Sequence, residues 1–151
     1  MLISTKGQYG VMALIDLAMH EKQSGGPVDL AIIAGSLGLS RRYLDRIFGK
    51  LRRAGIVKGI RGQGGGYVLA MPPEDIRLSH VIKVLEGKLV SVSCMDGNHH
   101  CNRSESCVPR ELWSELDTAI ENALDRHNLA ELLDRHISKM NRQEKHDTVS
   151  A

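Results

Sequence analysis

The most constraining stretch of this chain is Arg61-Gly62-Gln63-Gly64-Gly65-Gly66, which lies between two strand-like pieces, Ile56 to Ile60 and Tyr67 to Ala70. Four glycines in six residues can build neither core nor helix, but between such pieces they suit the flexible, basic tip of a β-hairpin. What comes before the hairpin gives it a purpose. Arg41 to Ala54 carries Leu44, Ile47, Phe48 and Leu51 at helical spacing, with Ser40 in front as an N-cap. Leu30 to Leu37 is a shorter apolar helix, and Gly38 follows where a left-handed C-cap belongs. Two helices joined by a tight glycine-containing turn form a helix-turn-helix, and a hairpin directly after the second helix is a wing.

The rest of the chain is expected to be helical. Aromatic residues make up only 3% of it, so the core is aliphatic and favours helix contacts over a large sheet. Lys6 to Glu21 repeats Val11, Leu14, Ile15, Ala18 and Met19 with helical periodicity and stops at Ser24-Gly25-Gly26-Pro27. Leu78 to Glu86 forms another helix, while the aperiodic segment from Val90 to Pro109 holds all three cysteines. Glu111 to Arg126 has a wide apolar stripe of Leu112, Leu116, Ala119, Ile120, Ala123 and Leu124. A chain this small cannot easily cover that stripe itself, so a second copy is expected on it. Asn128 caps a last helix, and the polar residues past Met140 read as a disordered tail. The expected fold is mainly α: a winged helix in 1–75, a helix and cysteine loop in 76–107, dimerisation helices in 108–140 and a tail in 141–151. The chain shows no signal-peptide pattern and no long apolar run, so a cytosolic protein without membrane contact is expected.

The charge is unevenly distributed. Ser40 to Arg61 holds eight basic residues and one acid, a local +7 in a chain whose total is +2. That asymmetry is the footprint of a polyanion partner, here double-stranded DNA. In a helix-turn-helix the start of the second helix reaches base edges, which selects Ser40, Arg41, Arg42, Asp45 and Arg46. Arginine reads guanine with two donors, and a carboxylate accepts from the cytosine amino group. Tyr43 and Lys50 are expected on phosphates. Arg61 suits a narrow minor groove, with Gln63 beside it at the tip. A phosphate loop of a nucleotide-binding enzyme is excluded, because Tyr67-Val68-Leu69 follows the glycines instead of a helix and a Lys-Ser/Thr pair. No nucleophile and base, and no paired carboxylates, point to an enzyme.

Cys94, Cys101 and Cys107 are separated by six and five residues. Three thiolates in one loop can wrap a single metal centre, and spacing alone serves zinc and iron–sulfur equally well. His99 and His100 lie inside the loop, where they are either a fourth ligand or solvent-exposed residues.

Ser4-Thr5-Lys6-Gly7, Tyr43-Leu44, Leu51 to Val57 and Arg61 to Tyr67 resemble the Rrf2 family of winged-helix regulators over about residues 1–140. The resemblance implies that Arg42, Asp45, Arg46 and Arg61 contact bases, and that Cys94, Cys101 and Cys107 hold an iron–sulfur cluster. A two-iron form is favoured and a four-iron form is the alternative. Gln63 stands where a proline is common in the family. Arg110 stands where some members place a ligating histidine, and Gln8 where others place a carboxylate of the partner chain. The implied function is a homodimeric regulator, a repressor, that binds a palindromic operator and senses iron, redox state or nitric oxide. The rival expectations are a zinc or thiol redox regulator, and an accessory factor of iron–sulfur assembly that no longer binds DNA.

Overall fold

Leu14 and Leu17 of α1 (Thr5–Ser24), Ile33 of α2 (Leu30–Leu37) and Ile47, Phe48 and Leu51 of α3 (Arg41–Arg53) bury their side chains in one cluster. These are the positions that the helical periodicity turns inward. Val57 of β1 (Val57–Ile60), Val81 and Leu85 of α4 (Leu78–Glu86) and Leu129 at the start of α6 (Leu129–Val149) close the cluster. The computed structural model describes residues 3–87, 92–95 and 105–149. Its fold is a mainly helical winged helix.

Each end of the helix-turn-helix is capped. Asp29 Oδ1 accepts from the Ala31 N–H at 2.9 Å and starts α2. Gly38, at φ 63°, ends α2 in the left-handed region, and Ser40 Oγ accepts from the Tyr43 N–H at 3.2 Å to start α3. The hairpin pairs β1 with β2 (Gly66–Leu69) antiparallel, in the register Val57↔Leu69 to Ile60↔Gly66. Val28 then exchanges both backbone hydrogen bonds with Tyr67, at 2.9 and 2.8 Å, so the segment before α2 lies along the wing as a third, single-residue strand. Gly66 permits this approach, because a Cβ there would stand 2.3 Å from the Val28 carbonyl oxygen.

α1 and α4 cross closely at Gly10, where a Cβ would lie 2.1 Å from Leu85 Cδ1. The Ser4 hydroxyl donates to Glu86 Oε1 at 2.6 Å, and Lys6 Nζ lies 4.0 Å from Glu86 Oε2. The Ser4-Thr5-Lys6-Gly7 run is therefore the dock for the end of α4. The last helices are clipped to this body by backbone pairing, Leu78 N–H to the His127 carbonyl at 3.0 Å and Leu129 N–H to the Ile76 carbonyl at 2.9 Å. A hydrogen bond from Ser79 Oγ to Asp125 Oδ1 at 2.6 Å reinforces the clip.

Two boundaries differ from the sequence reading. α5 runs Val108–Asp125 and so starts ahead of Glu111, with Pro109 in the first turn, where no backbone N–H is needed. α6 continues through Val149 and replaces the expected tail beyond Met140. The stretch from Asn141 contains no glycine or proline and is rich in Arg, Gln, Glu and Lys, which sustain a helix already nucleated upstream.

Gly66→Ala is expected to destabilise the fold by at least about 2 kcal/mol, read as a drop of several degrees in Tm. Gly35→Ala, in open space within α2, should leave Tm unchanged or raise it.

Candidate nucleic-acid interface

An arginine at the start of a helix faces the positive end of the helix dipole, so Arg41 and Arg42 in the first turn of α3 do not serve helix stability. That turn has no acidic residue to offset them. Arg42 and Arg46 are like charges one turn apart, which adds a further small cost. All three arginines, with Ser40 and Asp45, are exposed. Arg61 and Gln63 are exposed at the tip of the hairpin. Between helix and wing lies a cleft of about 380 Å³ whose lining includes Asp29, Arg41, Asp45, Arg52 and Arg61. This surface offers exposed guanidinium groups from one helix end and a basic tip on a glycine-built turn, a combination suited to a groove and its flanking phosphates.

The wing tip is shaped by its glycines. Gly62 and Gly64 hold φ 101° and 75°, and Gly65 donates to the Gly62 carbonyl at 3.0 Å. A Cβ on Gly65 would lie 2.3 Å from the Ile60 carbonyl oxygen. The tip is consequently a formed turn, and it carries Arg61 outward.

Two expected contacts are corrected. The Tyr43 hydroxyl is buried, with its ring edge-on to Tyr9 at 6.3 Å, so it packs α3 against α1 and is not presented to phosphate. Lys50 is half-buried and its Nζ donates to the Leu85 carbonyl at 3.3 Å, which ties α3 to the end of α4. Both residues lie on the flank of α3 that turns toward the body, a direction that a stretch of basic residues alone does not reveal. Asp29 and Arg52 were missed as cleft residues. For Asp29 a signal existed, an aspartate directly before an apolar helical run.

Of the expected metal ligands, Cys94 is exposed in a 3-10 turn, Ser93–Met95. Cys107 is half-buried in the N-cap position of α5 and makes no side-chain cap bond. Both are free thiols. Cys101, His99 and His100 lie outside the described residues, among which no group of three metal-ligating side chains gathers. Gln8 is bonded to its own segment, Nε2 to the Ile3 carbonyl at 3.0 Å. The Arg110 backbone N–H donates to the Cys107 carbonyl at 3.1 Å in the first turn of α5.

A family model described as Rrf2, iron-dependent transcriptional regulator, matches residues 3–135. The chain belongs to the Rrf2 family. It is similar to the HTH-type transcriptional regulator IscR of Aliivibrio salmonicida, 38% identical over 133 residues that make up 88% of this chain and 77% of the relative. IscR of Vibrio cholerae is 36% identical over 152 residues, 99% of this chain and 86% of that protein. Among solved structures, T. potens IscR superposes with a TM-score of 0.71 at 40% identity, covering 90% of this chain and 88% of that one. CymR, the global cysteine regulator of B. subtilis, also gives 0.71, at 38% identity and with 89% and 98% covered. This Rrf2 protein is accordingly a DNA-binding transcription regulator and not an enzyme. No helix among its described residues is long and apolar enough to cross a membrane.

Arg46→Ala and Arg61→Ala should each weaken DNA binding by about 1–3 kcal/mol and relax base preference at one position. Lys50→Ala should lower Tm but leave the salt dependence of DNA binding unchanged, measured by anisotropy titrations at several salt concentrations.

Proposed function

We propose that two copies of this chain bind a palindromic operator through α3 and the wing, that the bound dimer represses, and that an iron–sulfur cluster on Cys94, Cys101 and Cys107 sets the affinity. The observation that carries this reading is the placement of Cys107. It stands unbridged and uncommitted immediately ahead of α5, a helix with no buried residue and with Val108, Leu112 and Leu116 exposed at 75%, 57% and 43%.

The donor set fits the group. Three thiols in one short loop are the soft ligands that iron–sulfur clusters require, and the two described ones are neither bridged to each other nor spent on capping. When bound, the cluster supplies a centre whose charge and persistence respond to iron supply, oxidants or nitric oxide. The chain's own residues do the rest. Cys107 ties that loop to α5, the stripe of Leu112 and Leu116 covers its counterpart on a second copy, and the clip at Ile76–Leu78 joins the pair to both winged helices. The spacing between the two α3 helices then follows from how the α5 helices meet. A two-iron form is favoured over a four-iron form by the resemblance, with the fourth ligand drawn from His99, His100 or outside the loop.

A thiol or zinc redox regulator is the second reading. It is supported by likeness to a structure described as the oxidised form of Staphylococcus aureus CymR, 36% identical with a TM-score of 0.69 over 88% of this chain and 96% of that one.

Anaerobic purification decides between them. Broad visible absorption with stoichiometric iron and acid-labile sulfide is expected, lost in Cys107→Ala, together with an operator affinity that differs at least fivefold between cluster-loaded and stripped protein. A colourless protein that contains zinc, or one whose affinity follows thiol oxidation, establishes the second reading. Equal affinity with and without the cluster overturns the sensing role.

A further inference from the structure

Asp29 has no part in the reading above, yet it stands where three elements meet. The residue before it, Val28, is paired in both directions with Tyr67 of the wing. Its own Oδ1 caps α2 at the Ala31 N–H, 2.9 Å away, and the same oxygen lies 3.2 Å from Nη1 of Arg41 at the start of α3. Among the described residues, Asp29 and Asp45 are the two acids in the lining of the cleft between α3 and the wing, which also holds Arg41, Arg52 and Arg61. An acid on a surface meant for a polyanion weakens binding unless it does something else there.

We infer that Asp29 is a positioning residue that withholds Arg41 from the DNA backbone, and so determines specificity by lowering affinity for DNA of arbitrary sequence. This rests on the reading that α3 and the wing face DNA. Most exposed ion pairs are weak because both partners must be ordered to form them. Here one partner is ordered already, since the bridge to Tyr67 fixes the backbone and the cap to Ala31 fixes the carboxylate. The pair of Arg41 with that carboxylate carries no net charge toward an approaching phosphate. Affinity for arbitrary DNA grows with the number of phosphates neutralised, and each contributes about 0.9 to the slope of log K against log salt. Arg42, Arg46 and Arg61 have no ion pair within 4 Å among the described interactions and supply that attraction, whereas Arg41 is held for a site whose geometry compensates for parting it from Asp29.

The test uses the full-length protein and a 30-base-pair duplex of random sequence, with affinity measured over a series of potassium chloride concentrations. Asp29→Asn keeps the cap, since Asn serves as well as Asp at that position, and should leave Tm unchanged. It should steepen the salt slope by about 0.9 and raise affinity for the random duplex about five- to tenfold at 0.1 M salt. Preference for a sequence selected by the wild-type protein from a random library should fall correspondingly. Arg41→Ala should move the slope little in the wild-type background and reverse the whole gain in the Asp29→Asn background. The inference is overturned if Asp29→Asn changes Tm and not the slope, or if Arg41→Ala alone flattens the wild-type slope by about 0.9. Arg46→Ala is the control for the surface. If Arg46→Ala flattens the slope and Asp29→Asn does nothing, only the role of Asp29 fails. If neither moves it, DNA lies elsewhere and both readings fall.

Discussion

Two backbone hydrogen bonds between Val28 and Tyr67 set the geometry of the surface that carries the proposed DNA contacts. A two-stranded hairpin by itself is marginal in water and would swing about its base. Here its second strand is paired on both edges, with β1 on one side and Val28 on the other. The Tyr67 ring meets Phe48 at 4.9 Å and 65°, and Glu21 Oε2 accepts from the Leu69 N–H at 2.9 Å. Wing, α1 and α3 are thereby fixed to one another. The backbone that carries Arg61 is thus held against the one that carries the arginines of α3, as the proposed reading of a rigid duplex would require.

The dependence reaches single atoms. Glycine at position 66 leaves room for the Val28 carbonyl, and glycine at position 10 leaves room for Leu85. The glycines of the tip hold the turn itself. What reads in the sequence as a loose, flexible stretch is in part a set of close contacts that no side chain would survive.

Much of the fold was legible because it follows from periodicity and caps. The bounds of α2 and α4 agree with the reading, and Ser40 and Gly38 punctuate the helix-turn-helix as their chemistry demands. The continuation of α6 past Met140 was not legible, because the apolar signal fades there while helix propensity does not. At the candidate interface, Arg41, Arg42, Asp45, Arg46, Arg61 and Gln63 emerge on the exposed surface. Tyr43 and Lys50 do not, because which flank of a helix meets its neighbours is set by tertiary packing against Tyr9 and Leu85, which a charge pattern does not encode. Asp29 escaped notice because its partner Arg41 lies twelve residues further along the chain and across a turn. For the cysteine loop the sequence offers only residue types and spacing, since loop geometry has no period to read.

The clip that joins residues 76–78 to 127–129 gives α5 one firmly fixed end. Its far end is held by backbone pairing and by Ser79 against Asp125, and its near end begins at Cys107. Eighteen residues of helix span about 27 Å, so a tilt of about five degrees about the clip sweeps the thiol end through about 2 Å. In the proposed dimer the same lever would work in reverse: a slight rearrangement among the sulfur atoms would reach the fixed end as a change of angle, and that angle would set how far apart two reading heads stand.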